Sequence, residues 1–282
     1  MLRLPARLAW RRHFPGSGQR IMPVPAAWTE KVGRLQKALS GGPGPCQTCP
    51  VRDLSVCGAL SDDELGHLMK ITGHLGRTAG QHVFFENDPA DSLYVIVEGC
   101  VKLYKLLPDG RRQITGFLFP ADFLGLALQD RYAYAAEAVT SLELCRFPRR
   151  QLEVLLDRFP TMEKRLLGIA SNELVAAQDQ MLLLGRKTAQ EKLASFLAML
   201  SRRWANAGRD PGRLALPMNR VDIADYTGLT VETVSRAFTR LRKARVIGLE
   251  NSQTVVIADP EKLRDIAGFP EPGDPGVAAM VS

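Results

Sequence analysis

The sequence predicts an α+β fold in three successive parts. These are a small antiparallel barrel or double-sheet jelly roll, one long helix, and a winged helix-turn-helix towards the C-terminus. Three observations carry that prediction. Short alternating runs separated by turn residues fill the stretch from about Arg77 to Phe147. Apolar residues then recur every three or four positions, without a breaker, from Thr161 to Leu184. Finally, Asn219 to Ile247 reads NRVDIADYTGLTVETVSRAFTRLRKARVI, a short helix, a glycine turn and a longer capped helix.

Residues 1–45 precede these parts. Arg3, Arg7, Arg11, Arg12 and Arg20 occur there with no acidic residue before Glu30, and Pro and Gly are frequent. The composition predicts a basic, disordered extension, with Met22 as an alternative start. The full chain of 282 residues carries a formal charge of +7, which permits a polyanionic partner without identifying one. No apolar run reaches membrane-spanning length, so a soluble chain with no membrane partner is expected.

A cysteine cluster follows in residues 46–60. Cys46, Cys49 and Cys57 give C-x2-C-x7-C within one loop, a spacing that lets three thiolates turn toward one metal. A fourth ligand must come from elsewhere, and Cys100 and Cys145 are the candidates. Thiolates suit zinc or an iron–sulfur cluster, and spacing does not separate the two. Five cysteines, three of them clustered, argue against a secreted disulfide framework and for a reducing cytoplasm.

The strand-rich part, assigned to residues 61–160, contains runs at Gln81 to Glu86, Ser92 to Val97, Cys100 to Leu107 and Arg112 to Leu118. Pro108-Asp109-Gly110 turns between the last two, and runs at Ala133 to Thr140 and Leu142 to Phe147 complete the set. Arg149 to Arg158 predicts a short helix. The long helix, residues 161–185, places Leu166, Ala170, Leu174, Ala177, Met181 and Leu184 on one stripe. So continuous a stripe predicts coiled-coil-like dimerisation. A homodimer also suits DNA, because two recognition helices then meet two half-sites one helical turn apart.

The DNA-binding part spans residues 186–265, entered by a helix over Lys187 to Trp204, with residues 266–282 as a disordered tail. Within it, Val221, Ile223 and Ala224 are expected to pack the first helix, and Gly228 to supply the positive φ of the turn. Thr230 caps the second helix, expected from Val231 to about Arg245, and is also a candidate DNA contact at its N-terminus. Val231, Val234, Phe238 and Leu241 form its expected buried stripe. Glu232, Ser235, Arg236 and Thr239 share the exposed face near its N-terminus. There Arg236 can donate to guanine O6 and N7, Glu232 can accept from cytosine N4, and Ser235 can meet several base edges. Arg240, Arg242, Lys243 and Arg245 continue as a positive run suited to phosphates. Val246 to Leu249 and Thr254 to Ile257 predict the hairpin wing, with Leu214 to Pro217 as a further short strand.

The order of parts resembles the CRP/FNR superfamily of bacterial transcription regulators, across about residues 46 to 265. Asp91-Ser-Leu-Tyr-Val-Ile-Val-Glu-Gly99 is similar to its β-roll signature, and Val231-Glu-Thr-Val-Ser-Arg236 to the recognition helix of its fumarate and nitrate reductase regulator branch. Gln178-Asp-Gln-Met-Leu-Leu-Leu184 is also similar to that branch. The resemblance implies a cyclic-nucleotide-binding-like β-roll, a dimerisation helix and a winged helix that reads TTGAT half-sites of a palindromic operator through Glu232, Ser235 and Arg236. It implies an oxygen-labile [4Fe-4S] cluster on Cys46, Cys49, Cys57 and Cys145, RNA polymerase as a partner, and control of genes for low-oxygen metabolism.

Cys100 stands where that pattern has a small residue and is read as a buried extra cysteine. The Gly-Glu and Arg-Ser pairs of nucleotide-binding relatives are replaced by Gly125-Leu126 and Arg131-Tyr132, which argues against a cyclic-AMP switch. His13, His67, His74 and His82 form no evident site. Two rivals remain: a regulator with structural zinc at the same cysteines, and a cysteine-nucleophile enzyme, against which stands the lack of any Cys–His pairing or phosphate loop.

Overall fold

The computed structural model describes residues 45–127 and 130–268. The expected basic extension and the tail beyond Gly268 lie outside the described residues, as does His13.

Turn-rich chain from Pro45 leads into a short 3-10 helix, Val56–Ala59, and then helix α1, Asp62–Ile71. Ser61 caps α1 in a reciprocal box with Glu64, satisfying two backbone donors that would otherwise be orphaned. Eight strands follow: β1 Gly73–Arg77, β2 His82–Phe84, β3 Ser92–Glu98, β4 Val101–Leu106, β5 Arg112–Leu118, β6 Phe123–Leu124, β7 Ala135–Ala138 and β8 Leu142–Pro148. They form two antiparallel four-stranded sheets, β1-β8-β3-β6 and β2-β7-β4-β5, which is the expected double-sheet roll. Their inner faces meet over Ile96, Val101, Leu124, Ala136, Leu142 and Leu144, all essentially inaccessible.

Aromatic rings occupy the interior of the roll. Phe84 stacks on Tyr132 with centroids 3.6 Å apart. The Tyr132 hydroxyl donates to the Ser92 carbonyl at 2.6 Å, so the ring is held at both ends.

Helix α2, Arg149–Arg158, turns at Phe159 into α3, Pro160–Arg186, whose opening Pro sits where a missing N–H costs nothing. Helix α4, Ala189–Asn206, starts from a Thr188–Glu191 capping box, which moves its start two residues past the expected Lys187. Then come β9 Arg213–Ala215, α5 Arg220–Thr227, α6 Val231–Lys243, β10 Ile247–Leu249, β11 Thr254–Ile257 and α7 Pro260–Ala267. Strands β10, β11 and β9 pair antiparallel, in that order, to make the wing. Phe196, Leu197, Leu214, Ile223, Val234 and Leu241 pack at the centre of this region, and Phe117 of the roll joins the same cluster.

Several expectations are corrected. Helix α6 ends at Lys243, because Arg245 adopts a left-handed conformation (φ 56°) while Val246 N–H bonds back to the Leu241 carbonyl. Val231 and Val221 are exposed, at 41% and 48%. In their place Ala237 completes the buried face of α6, and Asp222 is the buried residue of the first turn of α5. Val231 opens its helix and overhangs the edge of the core, while Asp222 is drawn inward by cations of the roll. Helix α1, strand β1 and helix α7 were not anticipated.

Candidate nucleic-acid interface and cysteine site

Helices α5 and α6 meet at Gly228, whose φ of 63° is the left-handed turn geometry the sequence demanded. A Cβ there would also meet Leu184 Cδ2 at 3.0 Å. Thr230 caps α6, its hydroxyl accepting from Thr233 N–H at 3.2 Å. Opposite the buried Val234, Ala237, Phe238 and Leu241, the side chains of Glu232, Ser235, Arg236, Thr239 and Arg240 face outward and are exposed. The structure thus brings five of the six expected contact residues onto one face, and the sixth, Thr230, sits at the N-cap of the same helix. Glu232 and Arg236 form an ion pair at 2.5 Å, with side chains 73% and 70% exposed. The hydroxyls of Ser235 and Thr239 donate to the carbonyls one turn back, at 2.9 and 3.0 Å. Arg240, Arg242 and Lys243 fill the last turn, where positive charge complements the helix dipole.

Cys46, Cys49 and Cys57 lie on the turn-rich segment, and Cys145 on β8 pairs with Val95 of β3 and His74 of β1. All four line a single small cavity, closed by Arg52, Ser55, Leu68 and Phe147 among others. Cys100 is elsewhere, in the core at 1% exposure, as its reading as a small hydrophobe requires. Burial pushes the Cys46 thiol up to about 11, and the fields of Cys57 and Cys49 add to it. Cys145 is pushed up by burial and then by the other three thiols, and Cys57 by burial, opposed by a hydrogen bond from Ser55. Mutual repulsion of this kind is what a cation would relieve. Among the described residues, no three His, Cys, Asp or Glu side chains stand in ligand geometry around one point. The donor set, four thiols around one cavity, nevertheless has the chemistry of a thiolate-held metal group.

The segment is tied at both ends. Ser55 accepts from Cys57 N–H at 3.3 Å, and Arg52 pairs with Asp62 at 2.8 Å while donating to the Leu60 carbonyl. A Cβ on Gly58 would meet the Asp53 carbonyl at 2.8 Å, so the turn closes only around glycine. Arg165 of α3 donates to the Asp53 carbonyl at 2.6 Å, and Leu166 and Ile169 pack against the cluster that contains Cys46. Arg52 and Ser55 were not singled out in the sequence; the spacing marks ligands and says nothing of what braces them.

On α3, the six expected stripe residues do not share one environment. Leu174, Ala177 and Met181 are exposed, whereas Leu166 and Ala170 are half-buried and Leu184 packs on the core around α5 and α6. The outward apolar line runs instead through Leu167, Leu174 and Met181, at 67%, 61% and 69% exposure, with Val175 and Leu182 beside it. Steps of seven residues keep Leu167, Leu174 and Met181 on one side of the helix.

Residues 77–159 match the family described as cyclic nucleotide-binding domain, and residues 191–266 match the Crp-like helix-turn-helix domain. The transcriptional activatory protein AadR of Rhodopseudomonas palustris is 41% identical over 79% of this chain and 93% of its own length. The nitrogen fixation regulation protein FixK of Bradyrhizobium diazoefficiens is 39% identical, again over 79% of this chain and 93% of its own. The solved structure of FixK2 from Bradyrhizobium japonicum superposes with a TM-score of 0.67 at 36% identity, covering 71% of this chain and 100% of that one.

Proposed function

The chain belongs to the CRP/FNR family of DNA-binding transcription regulators, and from that premise we propose that it is an oxygen-responsive activator carrying a [4Fe-4S] cluster. Its relatives are regulators and not enzymes, and among the described residues no helix is long and apolar enough to cross a membrane. The observation that carries the finer reading is the convergence of Cys46, Cys49, Cys57 and Cys145 on one cavity. These four would hold the cluster, which supplies oxygen-sensitive iron–sulfur redox chemistry. The matched nucleotide-binding domain is read as a scaffold, because the Phe84–Tyr132 stack takes up the interior of its roll.

The chain's own residues supply the rest. Arg52 and Ser55 brace the cysteine segment, and its 3-10 helix packs on α3. The outward line of α3 seats a second copy of the chain, burying Leu167, Leu174 and Met181. The dimer then presents two α6 helices to a palindrome of TTGAT half-sites. Arg236 reads guanine, Glu232 and Ser235 neighbouring bases, and Arg240 a phosphate, with Thr230 and Thr239 at the margins. RNA polymerase is the partner at the promoter, the compartment is the cytoplasm, and the genes serve low-oxygen metabolism.

Iron and acid-labile sulfide measured on anaerobically purified protein test the cofactor. About four of each per chain, with a visible spectrum that bleaches in air, is expected. Stoichiometric zinc without sulfide would replace the sensor by a structural metal and leave the DNA-binding assignment standing.

A further inference from the structure

Helix α5 meets the roll through charge as well as apolar contact. Asp222, with its side chain 4% exposed, accepts from Lys102 Nζ of β4 at 3.0 Å and from Arg112 Nη2 of β5 at 3.1 Å. Lys102, 8% exposed, also pairs with Glu137 of β7 at 3.0 Å. Arg112 also reaches Asp225, one turn further along α5, at 2.8 Å. Beside this network Gln113 of β5 donates to the Asp225 and Tyr226 carbonyls at 2.8 and 3.3 Å. Gln180 of α3 donates to the same Tyr226 carbonyl at 2.7 Å.

We propose that Asp222, Lys102 and Arg112 are positioning residues that fix the angle of the helix-turn-helix against the roll, and through it the separation of the two recognition helices in the dimer. The inference rests on the DNA-binding reading and adds to it which residues set operator spacing. An apolar contact can slide by an ångström or two at little cost. A buried carboxylate shared by two cations cannot, because any displacement leaves charge unpaired in a low-dielectric setting. Helix α6 packs directly on α5 across Gly228, so an angle set at Asp222 is passed to Arg236. None of the three residues lies on the exposed face of α6, and none lines the cysteine cavity.

The test compares the full-length dimer with Asp222→Asn and Arg112→Gln by fluorescence anisotropy. Duplexes carry a single half-site, the two half-sites at their natural separation, or two half-sites with one or two base pairs inserted or removed. Both variants are expected to hold the single half-site as the unsubstituted protein does. They should lose on the order of ten-fold affinity for the naturally spaced palindrome, and with it most of the preference among spacings. Unchanged palindrome affinity and spacing preference would overturn the assignment. So would equal losses on half-site and palindrome, the signature of a damaged recognition domain. Should thermal melting show that Asp222→Asn does not fold, Arg112→Gln decides, since its side chain is the more exposed at 23%. Failure of the unsubstituted dimer to prefer any palindrome would remove the DNA-binding reading itself, which is a separate outcome.

Discussion

Arg236 shows how a proposed contact residue can be both ordered and available. Its pair with Glu232 holds the guanidinium over the first turn of α6, yet both side chains are about 70% exposed, so solvent screens the pair and a base edge would displace it at little cost. Arg236→Ala should cost ~1–3 kcal/mol of operator binding and relax preference at one base pair, measured by competition among single-base variants. Retained preference at every position would contradict its role. The cysteines give a pH prediction. In the unfolded chain a thiol ionises near its ordinary 9, whereas Cys46 in the metal-free fold is held up to about 11 by burial and by its neighbours. Between those values the unfolded chain binds fewer protons, so metal-free protein should lose thermal stability as pH rises from 9 to 11. Cys46→Ala should flatten that slope. At this scale the sequence marked candidate residues for the chemistry, but not which of them are buried. Periodicity placed Val231 inside because it cannot see that a helix's first residue overhangs its support. It also could not foresee that Lys102 and Arg112, more than a hundred positions away, would draw Asp222 in.

Among the elements, α6 and its turn were the most legible, since a glycine with positive φ, a threonine cap and a periodic face all agree on one geometry. Gly228→Ala should destabilise the protein by about 1 kcal/mol or more, from the left-handed backbone and from the approach of Leu184, read as a lower melting temperature. Helix α1 is marked in the sequence by little beyond its Ser61–Glu64 capping box, since only Leu65 and Leu68 of its ten residues are buried and they make too short an apolar stripe to stand out. Strand β1 is exposed or half-buried along its length and contains two glycines, so it gives no alternating signal. For α3, spacing alone proposed one stripe where the helix has two: an inward one through Met162, Leu166 and Leu183, and an outward one through Leu167, Leu174 and Met181. The outward one keeps steps of seven residues, and only the packing of the folded chain separates it from the inward one. Leu174→Glu should therefore shift the protein to monomer by sedimentation, because a charge in a helix seam is desolvated without a partner. Leu166→Glu should instead unfold it. A Leu174→Glu protein that remained dimeric would move the interface elsewhere.

For the molecule as a whole, the arrangement links one site to the other through packed elements. The cysteine segment rests on the first turns of α3 through Arg165, Leu166 and Ile169. The last turns of that helix hold α5 through Gln180, and Leu184 packs beneath Gly228. Under the proposed function, a change at the cysteines that altered how two α3 helices pack would reach α6 as a shift between two arrangements of the dimer. The decisive measurement is operator affinity and dimer mass for anaerobically purified protein, before and after air, beside Cys145→Ser kept anaerobic. Tight binding by a dimer that weakens on the order of ten-fold or more in air, with the variant weak from the start, is the predicted result. Equal affinity and equal mass in all three samples would contradict the account.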